Sequence, residues 1–428
     1  MDADKKTDFN RKYHDACFFK IPINMMLMHL IFICVYLRPS AVQWFSVSFS
    51  RIRPKRFVVA ALVVSVLLLV GLSPVSAVEF SGRYTNLLFE TRDSLKQHRT
   101  TDLNRLRLEM DGDYGPVRFH LAYDHELLWG GLVADPVVAA ALARPEPTWI
   151  DASAAISQRT HVNWRHTLYR GWLEYEHGPV QLKVGRQRIA WGSGRIWNPT
   201  DRFNPVQPTA LEPEQKLGVD AGMLVWNYGG NGSVTAVAAP ARTASRTSRK
   251  LALRWQDTFG EFDVALMGGR INDENMFGLD ITGNLGDAGV RLEWMQARNT
   301  RQGGYGQLST GVDYTWYPSL LPNGLYMAIE YFYNGAAGAI RQIQDRLNGR
   351  VRHLLGGLLG YDLTPLWHFD LLLIADPQRG GAFISPSLKW SVLENVDVQG
   401  FVQLPQGAGS SEFATLESLY ALRVDWYF

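Results

Sequence analysis

From Val78 to the end of the chain, apolar and polar side chains alternate with period two over segments of about ten residues. Leu106, Leu108 and Met110 alternate with Arg105, Arg107, Glu109 and Asp111. Val117, Phe119, Leu121 and Tyr123 alternate with Arg118, His120, Ala122 and Asp124. The same holds for Leu173 and Tyr175 against Arg170, Trp172 and Glu174, for Leu251, Leu253 and Trp255 against Arg254, and for Leu325 to Tyr333 against Tyr326, Ala328 and Glu330. Each segment is therefore a strand with one apolar and one polar face. In a water-soluble sandwich the apolar faces make the core, and strands run about five or six residues. The longer segments here match a tilted strand that crosses a bilayer. Aromatic residues gather at the strand ends: Trp129, Trp191, Trp226, Trp316 with Tyr317, Tyr331 to Tyr333, and Trp426 to Phe428. Those are the positions of interfacial girdles. The pattern predicts an all-β chain, a transmembrane antiparallel up-and-down β-barrel whose apolar face meets membrane lipid.

Tight connections such as Gly112–Pro116, His177–Pro179, Thr258–Gly260 and Glu394–Asn395 alternate with longer ones near 91–101, 130–165, 191–216 and 405–412. Counting between them gives about 18 strands, with 16 as the alternative. An even number places both ends of the barrel on the side of the tight turns. At that size the interior is wide enough for water unless loops fill it.

The chain before Val78 differs in kind. Arg51 to Arg56 is a basic stretch, Phe57 to Val70 is apolar apart from Ser65, and Val75-Ser76-Ala77 supplies small residues for a peptidase. Residues 51–77 read as a cleavable export signal, too short and wrongly flanked for a spanning helix. Residues 1–50, with a second apolar stretch from Ile21 to Leu37, read as an upstream mis-start or an N-terminal extension, and the barrel as 78–428.

Of the 43 basic and 41 acidic residues, 10 and 4 precede Val78, which leaves 33 and 37 and a net charge of −4. Nucleic acid is thus not an expected partner. Cys17 and Cys34 are the only cysteines, so residues 78–428 can form no disulfide. Their basic residues are 28 Arg and 5 Lys. Arginine keeps its charge when desolvated and suits a charged lumen, although codon usage produces the same bias.

The final strand carries the most specific signal. Tyr420, Leu422, Val424, Trp426 and Phe428 form one apolar face, opposed by Ala421, Arg423, Asp425 and Tyr427. A terminal Phe on such a strand resembles the insertion signal of bacterial outer-membrane barrels, which implies recognition by the barrel-assembly machinery and localisation to the outer membrane. The segment from Val184 to Pro205 (Val-Gly-Arg-Gln-Arg-Ile-Ala-Trp-Gly-Ser-Gly-Arg-Ile-Trp-Asn-Pro-Thr-Asp-Arg-Phe-Asn-Pro) resembles a stretch of Gram-negative porin-like barrels, of the alginate-export type and related porin families. Its Asn-Pro-Thr-Asp continuation departs from the alginate-exporter pattern, so the resemblance implies an outer-membrane channel but not a polyuronate substrate.

Alternation turns Arg105, Arg107, Glu109, Arg118, Arg170, Glu174, Arg254, Arg291 and Glu330 into the lumen. The dense cluster of Arg186, Arg188, Arg195 and Arg202 is the candidate constriction, selecting anions. Asp201, Glu212 and Glu214 can oppose them and create a transverse field, and the competing reading is that these charges pair with each other and pin the loop. Strict alternation also puts Arg186 and Arg188 on the lipid side with Val180, Leu182 and Val184, so the expectation is a bulge at Gly185 that turns them inward, or a place above the membrane. The loop 130–165 opens with Asp135-Pro136, an N-cap and first-turn pair. It either folds into the lumen or stands outside. No nucleophile motif, metal-ligand spacing or cofactor motif occurs in residues 78–428. The expected function is passive diffusion of small hydrophilic solutes, anionic ones favoured if the arginine cluster is the filter. The alternatives are a non-conducting barrel for surface binding or envelope assembly, and a hydrolase at the rim. The sequence leaves the oligomeric state open.

Overall fold

The structure, a computed structural model, describes residues 77–143, 148–242, 247–299, 303–337 and 350–428. The expected extension and, but for Ala77, the expected export signal lie outside the described residues. Nineteen strands follow in chain order. They are β1 (Ala77–Arg92), β2 (His98–Tyr114), β3 (Val117–Gly130), β4 (Ser153–Arg159), β5 (Val162–His177), β6 (Val180–Gln187) and β7 (Val219–Gly229). Next come β8 (Gly232–Arg242), β9 (Thr247–Phe259), β10 (Phe262–Ile271), β11 (Glu274–Leu285), β12 (Ala288–Asn299) and β13 (Gly303–Trp316). The last are β14 (Leu325–Asn334), β15 (His353–Thr364), β16 (Trp367–Asp376), β17 (Gly381–Leu393), β18 (Val396–Gln406) and β19 (Leu419–Tyr427).

Eighteen of these close a ring. Each pairs antiparallel with its neighbours, and β1 pairs with β19 from Arg83 opposite Tyr427 to Glu90 opposite Tyr420. Closure leaves no unpaired backbone edge, which a bilayer does not tolerate. The expected count of 18 holds. The additional strand, β4, shares an edge of β5 with β6: residues 171–177 of β5 pair with β6, and residues 162–167 pair with β4. β6 is short because the chain leaves the wall after Gln187, and β4 with residues 148–152 completes the wall above it.

The outer face carries the apolar half of the alternation. Leu108, Leu173, Leu224, Leu253, Ile329 and Leu422 are all exposed, and Arg105, Arg107, Glu174 and Glu330 on the opposite face are buried. An exposed apolar belt over a charged interior is the reverse of a soluble core and matches a lipid-facing barrel. Trp367 stacks on Trp390 at 5.0 Å, Trp426 packs on Phe428 at 5.1 Å, and Trp129, Trp226, Trp316 and Tyr317 are exposed, as girdle residues should be. Trp191 is a correction. It is 7 % exposed, edge-on to Phe203 at 5.0 Å, inside the barrel.

Of the loop 130–165, residues 130–143 lie beside the β1–β2 turn and residues 148–159 run along the wall. After a 3-10 turn (Gly131–Ala134), α1 (Pro136–Leu142) starts as expected, with Asp135 accepting the N–H groups of Val137 and Val138. Asp135 also accepts from Ser94 N at 2.7 Å, which ties the helix start to the neighbouring β1–β2 turn.

Candidate functional site

Residues 188–218, between β6 and β7, cross the lumen. Their contacts run right round the ring. Ile189, Trp191 and Phe203 pack on Ala239, Ala252, Met267 and Met295 of β8 to β12. Ile196 and Trp197 pack on Phe332, Leu354, Ile374 and Phe383 of β14 to β17, with Trp197 stacked on Phe332 at 5.4 Å. Leu211 packs on the cluster of Leu87, Leu103 and Leu419 from β1, β2 and β19. Burying each such side chain contributes about 1.5–3 kcal/mol. Wall positions facing the lumen that are Ala or Met, where a water-filled channel would have polar groups, exist to receive this loop.

Two buried carboxylates fix the loop's backbone. Glu330 accepts the N–H groups of Arg195, Ile196 and Trp197 at 2.8, 3.2 and 2.7 Å, and the Ser309 hydroxyl at 2.9 Å. Glu293 accepts from Ser193 N, Gly194 N, Thr200 N and Thr200 Oγ1. A Cβ on Gly192, whose φ is +99°, would stand 2.6 Å from Glu293 Oε2, so glycine there satisfies both backbone and space. Ser193 Oγ donates to Asp280 at 2.5 Å. Glu330 was an expected pore-lining charge. At 2 % exposure it serves as an anchor.

Most of the other expected pore-lining charges are paired. Arg105 bridges Glu126 at 2.7 Å and Glu212 of the loop at 2.8 Å. Arg107 forks onto Asp124 at 2.6 and 2.7 Å, and its guanidinium lies 3.4 Å from the Tyr169 ring. Glu174 pairs with Lys183 at 2.6 Å and with Arg118, which also reaches Glu176 at 2.8 Å. Arg202 meets Glu274 at 3.2 Å, Arg195 meets Asp313 at 3.6 Å, and Arg291 pairs with the same Asp313. Arg254 lies 3.9 Å from Asp280. Glu109 is half-buried on the lumen face of β2. Fork-like Arg–carboxylate pairs are strong ties in a desolvated setting, so these groups chiefly brace wall and loop.

Arg186 and Arg188 part company. The register of β6 with both neighbours is unbroken at Gly185. The bulge lies across the seam on β5, where Arg170 opposes Ala122, Leu168 opposes Tyr123 and Tyr169 is extra. Arg186 thus stays on the face opposite Val219 and Ala221, which pack inward. It is sealed there at 3 % exposure, bonded to Asp220 at 2.8 Å and to the carbonyls of Leu168 and Ile150. It closes the seam where β6 ends and does not line a pore. Arg188, two residues on, is exposed.

Among the described residues, Arg170, Arg188 and Lys216 have no carboxylate at ion-pair distance. The bulge aims Arg170 inward, where it donates to Lys216 O at 2.6 Å and lies 4.3 Å from the Tyr169 ring. Arg188 is close enough for its charge to act on Arg170. Asp201 sits nearby on the loop. Burial raises its pKa to about 6, against the opposing pull of the Asn204 and Phe203 N–H groups and of Lys250 and Arg188. Burial likewise lowers the pKa of Lys216, which Asp201 partly offsets. Asp201 was expected to oppose the arginine cluster, whereas Lys216 was not singled out from sequence. Among the described residues no group of three His, Cys, Asp or Glu side chains is placed to hold a metal.

No protein-family model matches the chain, and no curated protein matches it in sequence. Solved structures do match in fold. OpdK, an outer-membrane protein of Pseudomonas aeruginosa, aligns with TM-score 0.55 and 10 % identity over 83 % of this chain and 99 % of its own. A BenF-like porin from Pseudomonas fluorescens Pf-5 aligns with TM-score 0.56 and 10 % identity over 83 % and 100 %. OccAB1 of Acinetobacter baumannii aligns with TM-score 0.55 and 7 % identity over 83 % and 97 %. OpdK has also been crystallised with vanillate. The fold is that of outer-membrane porin barrels.

Proposed function

We propose that the protein is an outer-membrane channel for small hydrophilic solutes and that it favours anions. The observation that carries the anion preference is the Arg170, Arg188 and Lys216 group, without carboxylate partners on or beside a loop that crosses the lumen. Carboxylates elsewhere in the lumen are largely neutralised by Arg forks or consumed by loop amides, which leaves these three cations in excess over the neighbouring Asp201. Vanillate, the small molecule crystallised with OpdK, is a carboxylate and suits the same charge. The short likeness of Val184 to Pro205 to alginate-export-type barrels adds the porin class and no sugar-acid substrate. Purified protein in a planar bilayer should give conductance steps and a reversal potential on the anion side in a salt gradient. Arg188→Ala should move that potential toward cations, less so at high salt, where screening shortens the reach of charge to about 3 Å at 1 M. Assembled protein that gives no steps would show a barrel closed by its loop and sink the channel reading.

A further inference from the structure

A row of arginines lies on the outside of the barrel. On β9, Lys250 points inward to the carbonyl of Arg202, so its neighbours Arg249 and Leu251 point outward. On β10, β11 and β12, Ile271, Met276 and Ala297 pack into the lumen, so Arg270, Asn275 and Arg298 point outward. Asn275 pairs in register with Arg270 on one side and with Arg298 on the other. The three side chains form one row, with the two arginines about 10 Å apart across two strand spacings. Arg249 stands diagonally from Arg270, beyond the Leu251–Arg270 pair. All four residues are exposed. Among the described residues, no carboxylate lies at ion-pair distance from Arg249, Arg270 or Arg298.

The row sits at the ends of its strands away from the tight turns, which is the outer-leaflet side. Phe277, two residues from Asn275 on the same face, lies 5.9 Å from the Trp294 ring and marks the girdle below. Arg249 is ten residues along β9 from the exposed Phe259 at the other end, about 25 Å of height on a tilted strand. That spans the apolar band, so the arginines stand at headgroup level. Among the described residues, the opposite ends of β9 to β12 carry no outward cation, and Asp257, Phe259 and Leu285 stand there. Beside Arg270 the wall holds a groove of about 540 Å³, which Arg270 itself lines. Gly222, Ala238 and Gly268 form its floor, and the exposed Leu224, Leu251 and Leu253 flank it. A Cβ on Gly222 would meet nothing within 4 Å, and one on Gly268 only Met276 O at 3.8 Å. Larger side chains would fit, so packing of the barrel does not require this depression.

We infer that Arg270, Asn275 and Arg298 form, with this groove, a binding site for a phosphorylated acyl lipid of the outer leaflet. One acyl chain lies in the groove, and the phosphate sits over Asn275 between the two guanidinium groups. Arginine forks match phosphate oxygens in geometry as well as charge. The Asn275 amide adds a donor between them, and Arg249 adds a further cation. The occupant has to be apolar against the leucines and anionic against the arginines, at the edge of the hydrocarbon. A free phosphate lacks the first property. A folded partner needs about 20–30 residues a side, against the handful that line this groove.

The test uses the protein as it assembles in outer membranes, purified in mild detergent, with lipid A as the probe and native mass spectrometry as the readout. Wild type should retain bisphosphorylated lipid A and bind its phosphate-free form more weakly. Arg270→Gln with Arg298→Gln should weaken binding of the phosphorylated form about tenfold or more. Gly222→Leu with Gly268→Leu should weaken it as well, with the arginines intact. Both double variants should keep heat-modifiable migration and wild-type conductance, because neither touches the lumen. Inorganic phosphate at the concentration of the lipid should not displace it. Should a variant fail to assemble, lipid A with a photoreactive acyl chain, added to the unmodified protein, should label β7 to β10. Equal binding of the two lipid forms, unchanged binding by either assembled double variant, displacement by inorganic phosphate, or labelling spread evenly round the wall overturns the inference.

Discussion

The carboxylate of Glu330 on β14 accepts the backbone N–H of Trp197 at 2.7 Å, and the two neighbouring amides of the loop as well. The wall thereby holds the loop by its main chain, whatever solute passes. Each such bond to a charged acceptor contributes about 1.5–3 kcal/mol. Glu330→Ala removes the acceptor and leaves three buried donors unpaired. The expected outcome is an assembled barrel with larger and noisier conductance steps, measured in planar bilayers. Unchanged steps would show that the packing of Ile196 and Trp197 alone fixes the loop.

Arg186 and Arg188 should separate structure from selectivity. Arg186→Ala breaks a buried pair with Asp220 and uncaps the carbonyls of Leu168 and Ile150. Breaking such a pair costs about 3–5 kcal/mol. That variant should unfold at lower urea concentration, with little change of reversal potential in the fraction that assembles. Arg188→Ala should do the opposite. A reversal-potential shift from Arg186→Ala equal to that from Arg188→Ala would contradict the seam assignment.

How much of this was legible beforehand follows from what alternation encodes. Period two gave the strand faces, the 18-strand ring and the outward Tyr420, Leu422, Val424, Trp426 and Phe428, because each depends only on neighbours in sequence. It does not encode what an inward charge meets. Glu330 looked like a lumen charge, and only the loop's path shows it bonded to Trp197, with Glu293 bonded to Ser193 and Gly194 beside it. A signal was present. Ile189, Trp191, Ile196, Trp197 and Phe203 are too apolar for a loop in water, and Ala239, Ala252 and Met295 too apolar for a wet lumen. Reading both together points to a loop docked inside. The bulge at Tyr169 had no comparable sign, since the extra residue is visible only against β3.

Barrel closure gives a test at the terminus. Gly82 N donates to Phe428 O at 2.8 Å and Phe428 N to Gly82 O at 3.0 Å, and a Cβ at position 82 would stand 2.5 Å from the Phe428 ring. Deleting Phe428 removes two closing hydrogen bonds and the end of the apolar face, so less heat-modifiable protein should reach the membrane. Gly82→Val should act in the same direction by displacing the ring. Normal amounts of both would mean that closure does not depend on this contact.

The start of the mature protein is the next expectation. The basic stretch, apolar run and small residues before Val78 predict cleavage after Ala77. N-terminal sequencing of protein from outer membranes should read Val78-Glu79-Phe80. A mature chain that retains Phe57 to Val70 would overturn the export-signal reading.

The last prediction concerns pH. Asp201 lies within reach of Arg188 and Lys250, and burial raises its pKa from 3.8 to about 6. In the folded protein it keeps a proton that the unfolded chain has already released, so between those two values stability falls as pH rises. Selectivity follows the same titration. Below about pH 6 the Asp201 carboxyl is neutral, and the charges of Arg170, Arg188 and Lys216 stand unopposed. Above it Asp201 is an anion among them and cancels part of their field. The anion preference, read as reversal potential in a fixed salt gradient, should be stronger at pH 5 than at pH 7.5. Asp201→Asn should hold the stronger preference at both pH values. If the wild-type potential shifts with pH and the Asp201→Asn potential shifts equally, the titrating group lies elsewhere.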